Sequence, residues 1–229
     1  MTGILFDLDG TLLDTLDDLT DATNYVLGQF GYPQRTREEV RQFVGNGARR
    51  LIAQAVPAGA DVDAVLAAFQ TYYGTHCQIK TKPYEGILNA LAELARAYPI
   101  AIVSNKPDHA VKRLCADYFP GIYARGESSD CPRKPAPDMV FQAMQAIGAE
   151  KCVYVGDSEV DVLTAKNAGV PCVSVLWGFR NRENMEAVGG EIYCEKPGDL
   201  PRCIAHIAGD VEDAVPYKAN SIRGMSNGH

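Results

Sequence analysis

Two aspartates stand two residues apart where a short apolar run stops: Ile4-Leu5-Phe6-Asp7-Leu8-Asp9-Gly10-Thr11. Carboxylates this close repel unless a proton or a cation joins them. Unit charges ~4 Å apart interact by about 1 kcal/mol in water and about 4 kcal/mol near a protein surface. Ile4 to Phe6 has the continuous apolar character of a strand buried in a parallel sheet. Asp and Gly are poor strand residues, so the chain leaves the sheet at Asp7. Asp7 and Asp9 then lie at the carboxyl end of a strand, where open α/β sheets place their ligands. A single acid there would read as an Asx turn; the whole Asp-x-Asp-Gly-Thr string asks for more.

Further polar groups follow other apolar runs. Ser104 and Asn105 follow Ile100-Ala101-Ile102-Val103, and Gly156-Asp157-Ser158-Glu159-Val160-Asp161 follows Cys152-Val153-Tyr154-Val155. Lys134 stands before Pro135 in a loop. Taken singly, these have structural explanations: a helix cap, a solvated lysine, a turn. In a parallel sheet, however, strand ends share one edge, so residues distant in the chain converge there.

The elements that must position them can be read from periodicity. Leu16, Leu19, Thr23, Val26, Leu27 and Phe30 recur at helical spacing up to Gly31-Tyr32-Pro33. The acids of this helix, Asp14, Asp17, Asp18 and Asp21, suit a first turn and read as structural. Thr36-Arg37-Glu38-Glu39 is a capping box, Gly45-Asn46-Gly47-Ala48 breaks the helix it opens, and a third helix covers Arg49 to Val56. Asp61 caps a fourth, with Val62, Val65, Leu66, Phe69 and Tyr73 on one face. Residues 16–82 are thus expected to be all helix, a lobe inserted after the first strand. From Pro83 onward strands and helices alternate: helix 86–98, strand 100–103, helix 107–118, strand 122–124, helix 137–147, strand 152–155, helix 160–168, strand 170–176 and helix 200–207. That alternation predicts an α/β, Rossmann-like parallel-sheet core with right-handed crossovers. The expected division is a core of residues 1–15 and 83–210, the helical lobe, and a tail of residues 211–229.

Composition narrows the function. The chain has 229 residues, 46% of them hydrophobic, enough for one or two domains with a real core. A net charge of -7 argues against a nucleic-acid partner. No apolar run approaches the ~20 residues of a membrane helix, and the first strand begins too early to leave room for a signal peptide. Cys77, Cys115, Cys131, Cys152, Cys172, Cys194 and Cys203 are scattered with no C-x-x-C pair, which reads as reduced thiols in a cytoplasmic protein. His76, His109, His206 and His229 lack metal-ligand spacing.

In order and type, the Asp-x-Asp-Gly-Thr string, Ser104 after a core strand, Lys134 before a helix and Gly-Asp-x-x-x-Asp at 156–161 match the four motifs of the haloacid dehalogenase superfamily. Members of that superfamily are mostly magnesium-dependent phosphatases. The resemblance runs to about residue 208, and the inserted lobe resembles the type-1 helical cap. The strings Gly45-Asn46-Gly47-Ala48, Val103-Ser104-Asn105-Lys106 and Gly156 to Asp161 are similar to those of bacterial phosphoglycolate phosphatases. The resemblance implies that Asp7 attacks phosphorus and forms an aspartyl-phosphate. Asp9 would protonate the leaving oxygen and later deprotonate water. Ser104 and Lys134 would hold and neutralise the phosphoryl group, with Thr11 orienting Asp9 and Asn105 beside the substrate. Asp7, the Asp9 carbonyl and Asp157 would bind the cation, with Asp161 close by in a supporting place. Four acids cannot share a pocket with a phosphate unless cations are present, and an all-oxygen donor set favours Mg²⁺. Gly45, Asn46, Gly47, Arg49 and Arg50 are the lobe's candidates for meeting the rest of the substrate.

The expected activity is therefore hydrolysis of a small phosphorylated metabolite, 2-phosphoglycolate first, by a monomer or homodimer. A phosphosugar mutase of β-phosphoglucomutase type is the sister reading; it would grip a second phosphate with Arg49, Arg50, Lys80 or Lys82. A pyrophosphatase on the same scaffold is another. A phosphonoacetaldehyde hydrolase needs a Schiff-base lysine that Asp14 to Gln34 lacks. A receiver domain or a binding protein without turnover is the reading from a different class; the second acid and the inserted lobe argue against it.

Overall fold

A computed structural model describes residues 1–209; the expected tail at 211–229 lies outside the described residues. The chain opens with β1 (Thr2–Phe6), then β2 (Leu13–Asp14) and four helices: α1 (Leu16–Gln29), α2 (Arg37–Phe43), α3 (Ala48–Ala55) and α4 (Val62–His76). It returns through β3 (Lys82–Pro83) to α5 (Ile87–Leu94), β4 (Ile100–Pro107), α6 (Asp108–Tyr118), β5 (Tyr123–Glu127) and α7 (Asp138–Ala146). β6 (Lys151–Gly156), α8 (Glu159–Ala168), β7 (Cys172–Val175), α9 (Arg182–Glu186), β8 (Ile192–Cys194) and α10 (Leu200–Ala208) complete it.

The six-stranded sheet has the order β5-β4-β1-β6-β7-β8, and every neighbouring pair is parallel. β1 is central and pairs with β4 on one side and β6 on the other. Side chains of a strand alternate between faces. Accordingly Ile4, Phe6, Ile100, Ile102, Val153 and Val155 enter one apolar cluster, while Leu5, Ala101, Val103, Cys152 and Tyr154 enter another. With both faces covered, the strands read as unbroken apolar runs.

The lobe helices start where local chemistry says they should. Thr36 and Glu39 form the reciprocal capping box of α2, and Asp61 accepts the Asp63 and Ala64 amides at the head of α4. The expectation that residues 16–82 hold no strand needs correction. Leu13 and Asp14 pair antiparallel with Pro83 and Lys82, a ribbon too short to leave a periodic signal. Beside it, the buried Asp18 carboxylate accepts the Lys80 amide at 2.9 and 3.0 Å and the Thr81 amide at 2.8 Å. The two crossings between lobe and core are thereby tied together.

Other elements differ from expectation too, β5 among them, which runs from Tyr123 to Glu127 rather than over 122–124. β4 does not stop at Val103; it shifts register and pairs again at Pro107, opposite Glu127, so Ser104, Asn105 and Lys106 are strand residues. Helix α6 begins at Asp108 rather than Pro107. β8 and α9 were not expected, being only 3 and 5 residues long.

Candidate active site

Asp7 lies where β1 ends, its amide donating to the Val155 carbonyl at 2.9 Å. Its Oδ1 accepts the Leu8 amide at 2.7 Å and the Lys134 ammonium at 2.9 Å. Lys134 arrives on the loop before α7 and is pinned by Asn105: the Lys134 amide donates to Asn105 Oδ1 at 2.8 Å, and Asn105 Nδ2 donates to the Lys134 carbonyl at 3.0 Å. The ammonium is buried and spends its three donors on Asp7, on Asp161 Oδ1 at 2.8 Å and on the Tyr154 hydroxyl at 3.0 Å.

Asp157 stands at the end of β6. Its Oδ1 accepts the Thr11 hydroxyl at 3.2 Å, and its Oδ2 accepts the Phe179 amide at 2.7 Å. Two glycines leave it room. A Cβ on Gly178 would come within 2.3 Å of Asp157 Cβ, and one on Gly10 within 2.3 Å of Asp157 Oδ2. Gly10 also holds a left-handed φ of 85°, which suits glycine. One oxygen from each of Asp7, Asp157 and Asp161 lies within 4.8 Å of the others. Asp161 has both oxygens occupied, however. Oδ1 meets Lys134 and the Tyr154 hydroxyl, and Oδ2 accepts the Ser158 amide at 3.1 Å and the Ser158 hydroxyl at 2.6 Å. Four donors fill the roughly four lone-pair sites of a carboxylate, which sets Asp161 as the support of Lys134 and Ser158.

The electrostatics show what the cluster lacks. Burial, reinforced by Asp161, pushes the Asp7 carboxyl well above the ordinary range and the Asp157 carboxyl up to about 7. Burial alone would push Lys134 down, but Asp161 and Asp7 outweigh it and hold the ammonium well above the usual lysine value. Ionising all three carboxylates against one ammonium would leave two negative charges, which a divalent cation would balance. The oxygen-only donors and the glycine cradle around Asp157 fit a hard cation.

Asp9, two residues on, is partly buried and has a different lysine for a partner. Its Oδ1 accepts the Lys106 ammonium at 2.7 Å, and Lys106 also donates to the Tyr73 hydroxyl at 2.9 Å. Tyr73 belongs to α4, so this chain of contacts joins core to lobe. Asp7, Asp9, Ser104, Asn105, Lys106 and Lys134 share the lining of a cavity of about 80 Å³ with residues of the lobe. Ser104 Oγ accepts the Lys106 amide at 3.2 Å.

Several expected site residues are placed elsewhere. Thr11 turns to Asp157 rather than to Asp9, because Gly10 reverses the chain between them. Gly45 and Gly47 line the cavity with φ of 114° and 81°, but Asn46 lines a separate polar cleft. Arg49 pairs with Asp63 on the exposed side of the lobe, and Arg50 also lines the separate cleft. Helix phase explains this: α3 starts at Ala48, and Ala48 and Leu51 face the cavity, so residues 49 and 50 point away. Lys80 pairs with Asp21 at 2.6 Å on the surface. Conversely, Lys106, Tyr73, Tyr154, Phe179 and Arg180 had no assigned part. Tyr73 sits at ordinary core spacing. Only the polar run Ser104-Asn105-Lys106 directly after an apolar strand could have flagged Lys106.

A family model described as haloacid dehalogenase-like hydrolase matches residues 4–175. Phosphoglycolate phosphatase 1 of Pseudomonas aeruginosa is 34% identical over 87% of this chain and 78% of its own length. The phosphoglycolate phosphatase of Rhodobacter capsulatus is 36% identical over 77% of this chain and 85% of its own. Among solved structures, a provisionally assigned phosphoglycolate phosphatase from Lactobacillus delbrueckii subsp. bulgaricus superposes with a TM-score of 0.83 at 35% identity, covering 88% of this chain and 97% of that one. A haloacid dehalogenase-like protein from Streptococcus pneumoniae gives a TM-score of 0.81 at 23% identity, covering 88% and 97%, a likeness of fold.

Proposed function

Since this chain belongs to the haloacid dehalogenase-like hydrolases, we propose that it is a Mg²⁺-dependent phosphatase of a small phosphate monoester, with 2-phosphoglycolate as its foremost substrate. The observation that carries the proposal is the buried cluster of Asp7, Asp157 and Asp161 around a single lysine. Asp7, Asp157 and the Asp9 backbone carbonyl would hold the ion, with Asp161 supporting the cluster through Lys134. Once bound, the ion supplies the positive charge that lets a phosphate dianion approach an ionised Asp7.

Unaided phosphate monoesters hydrolyse so slowly that the enzyme must supply ~20 kcal/mol or more. Asp7, its carboxylate held by the Leu8 amide and Lys134, attacks phosphorus in line. The leaving alcohol oxygen departs with a proton from Asp9, and an aspartyl-phosphate forms on Asp7. Asp9 then takes a proton from water as that water attacks phosphorus and frees phosphate. Lys106 and, through it, Tyr73 hold Asp9 in place. Ser104 spends an acceptor site on the Lys106 amide and keeps its O–H to donate to a phosphoryl oxygen. Lys134 neutralises charge on the Asp7 side.

The cavity argues for a small substrate. About 80 Å³ holds only a handful of waters at ~10–15 Å³ each. The helical segment 16–82 acts as the cap that meets the leaving group, and its contribution to the lining is mostly apolar: Leu19, Val44, Leu51 and Phe69 beside Gly45 and Gly47. A mutase would need a cap cation there for a second phosphate; Arg49 and Lys80 are paired on the surface instead, and neither Arg50 nor Lys82 lines the cavity. The free thiols of all seven cysteines favour a reducing, cytoplasmic setting.

The test is a phosphate-release screen over 2-phosphoglycolate, hexose phosphates, nucleotides and pyrophosphate, with Mg²⁺ or chelator. The proposal expects Mg²⁺-dependent release, fastest from small esters, and its loss in Asp7→Asn. Full turnover in chelator, with metal shown absent, would refute the metal dependence.

A further inference from the structure

Behind the substrate cavity an arginine from the core closes a helix of the lobe. Arg180 lies in the loop between β7 and α9, with its side chain 12% exposed. Nη1 donates to the Arg41 carbonyl at 2.8 Å, and Nη2 donates to the Gln42 carbonyl at 3.1 Å and the Val44 carbonyl at 2.7 Å. Nε donates to Glu159 Oε2 at 3.1 Å. Arg41, Gln42 and Val44 form the C-terminal end of α2, where carbonyls have no partner within their own helix. A contact runs back the other way: Arg41 Nη2 donates to the Gly178 carbonyl at 3.0 Å. The segment between is short. Trp177 Nε1 donates to the Thr11 carbonyl at 3.0 Å, and the Phe179 amide holds Asp157. Within these four consecutive residues, Phe179 touches the acid cluster while Gly178 and Arg180 on either side of it touch the lobe.

What Arg180 grips is the entry to the glycine loop. Val44 immediately precedes Gly45-Asn46-Gly47, whose two glycines line the cavity with Asp7. The next carbonyl, that of Gly45, accepts from Asn105 Nδ2 at 3.3 Å. Consecutive carbonyls are therefore held from the core by Arg180 and by Asn105. Arg180 does not line the cavity; it lines the cleft on the loop's far side.

We propose that Arg180 is a positioning residue: by capping the end of α2 and holding Val44, it sets the glycine loop of residues 45–47 over Asp7 and so determines how well the leaving group fits. This rests on the phosphatase reading, although the seating of the loop can be measured without it. Guanidinium is suited to the task because its donors spread in a fixed plane across several carbonyls, which an ammonium cannot match. Loss of several charge-assisted hydrogen bonds at once frees the loop rather than the chemistry. KM, not kcat, carries the effect.

The experiment compares the wild type with Arg180→Met, Arg180→Lys and Glu159→Gln. Each is first shown to be folded by thermal melting. Kinetics with 2-phosphoglycolate and hydrogen exchange over residues 40–51 are then measured. Arg180→Met is expected to raise KM by about tenfold or more with kcat nearly unchanged, and to speed exchange at the Val44 and Leu51 amides. Arg180→Lys is expected to recover part of both effects, and Glu159→Gln, which keeps the three carbonyl bonds, to stay near wild type. Unchanged exchange and KM in Arg180→Met, with only a lower melting temperature, would overturn the proposal. So would a loss in kcat alone. If Arg180→Met cannot be purified folded, Arg180→Lys decides by the same two readouts. If the wild type releases phosphate from no ester, the functional reading fails, while faster exchange in the variants still supports the positioning and unchanged exchange still refutes it.

Discussion

Replacing Lys134 with methionine tests whether the acid cluster is held by one cation. In the wild type the ammonium reaches Asp7, Asp161 and Tyr154 at 2.9, 2.8 and 3.0 Å. Methionine has similar length and no charge, so the cavity stays filled while Asp7 and Asp161 lose their partner. Removing one side of a buried ion pair costs about 3–5 kcal/mol. For a folded part of this size, Tm falls by about 2–4 °C per kcal/mol, so metal-free Lys134→Met should melt about 6–20 °C below wild type at pH 8. The sign of the pH dependence follows from the raised carboxyls. Asp7 and Asp157 already hold protons above the ordinary carboxylate range, and losing the lysine, whose charge and hydrogen bond lower Asp7, raises Asp7 further. The folded chain then binds protons that the unfolded chain has released, so stability falls as pH rises above about 4. The deficit should therefore shrink toward pH 5. Adding Asp161→Asn to Lys134→Met should recover part of the loss, since the amide keeps an acceptor for Ser158 without the charge. Thermal melts in chelator at both pH values read all of this. Melting within about 2 °C of wild type at pH 8, or an equal loss at both pH values, would refute the reasoning.

A second expectation concerns the metal itself. Asp157 is raised to about 7 without an ion, so metal-free stability should fall between about pH 4 and pH 7; saturating Mg²⁺ should then raise Tm more at pH 8 than at pH 5.5. A pH-independent gain would place the ion elsewhere. Gly178→Ala would drive a Cβ to 2.3 Å from Asp157 Cβ and 2.4 Å from the Gly10 carbonyl. It should weaken Mg²⁺ affinity by about 10–100-fold, as measured by metal titration, while Gly198→Ala, with nothing within 4 Å of the added carbon, should behave as wild type. Lys106→Met frees Asp9 and should lower kcat by about 10²-fold or more. Arg49→Ala, on the outer side of the lobe, should leave both kinetic constants unaltered.

Much of the layout of the candidate site was legible because it is encoded locally. An apolar run stopped by Asp or Gly-Asp marks a strand end, and a parallel sheet brings those ends to one edge; β4 runs on past Ser104 to Pro107 with a shift of register, yet Ser104 still lines the same cavity as Asp7. This is how Asp7, Ser104 and Asp157 could be named 97 and 53 residues apart. The remainder depends on geometry that no short window carries. Thr11 chooses an acceptor 146 residues away rather than its neighbour. In α3 it is Ala48 and Leu51 that face the cavity, so Arg49 turns to Asp63 on the exposed side and Arg50 to the separate cleft. Tyr73 has the spacing of a core residue, and only the fold shows that its hydroxyl meets a buried lysine. Arg180 sits in a loop with no pattern, and its partners are carbonyls, which every residue has. The ribbon of Leu13–Asp14 with Lys82–Pro83 is too short to betray itself by alternation.

The most direct measurement asks whether phosphorus reaches Asp7. The protein is mixed with Mg²⁺ and 2-phosphoglycolate, or the best ester from the screen, quenched in acid during turnover and reduced with borohydride. An acyl phosphate at position 7 is thereby converted to homoserine, which mass spectrometry of the peptide carrying residues 1–35 identifies. The account predicts homoserine at position 7 in the turning-over sample and aspartate there when Mg²⁺ is withheld. Steady phosphate release, with reduced peptide recovered in good yield and residue 7 always aspartate, would contradict it.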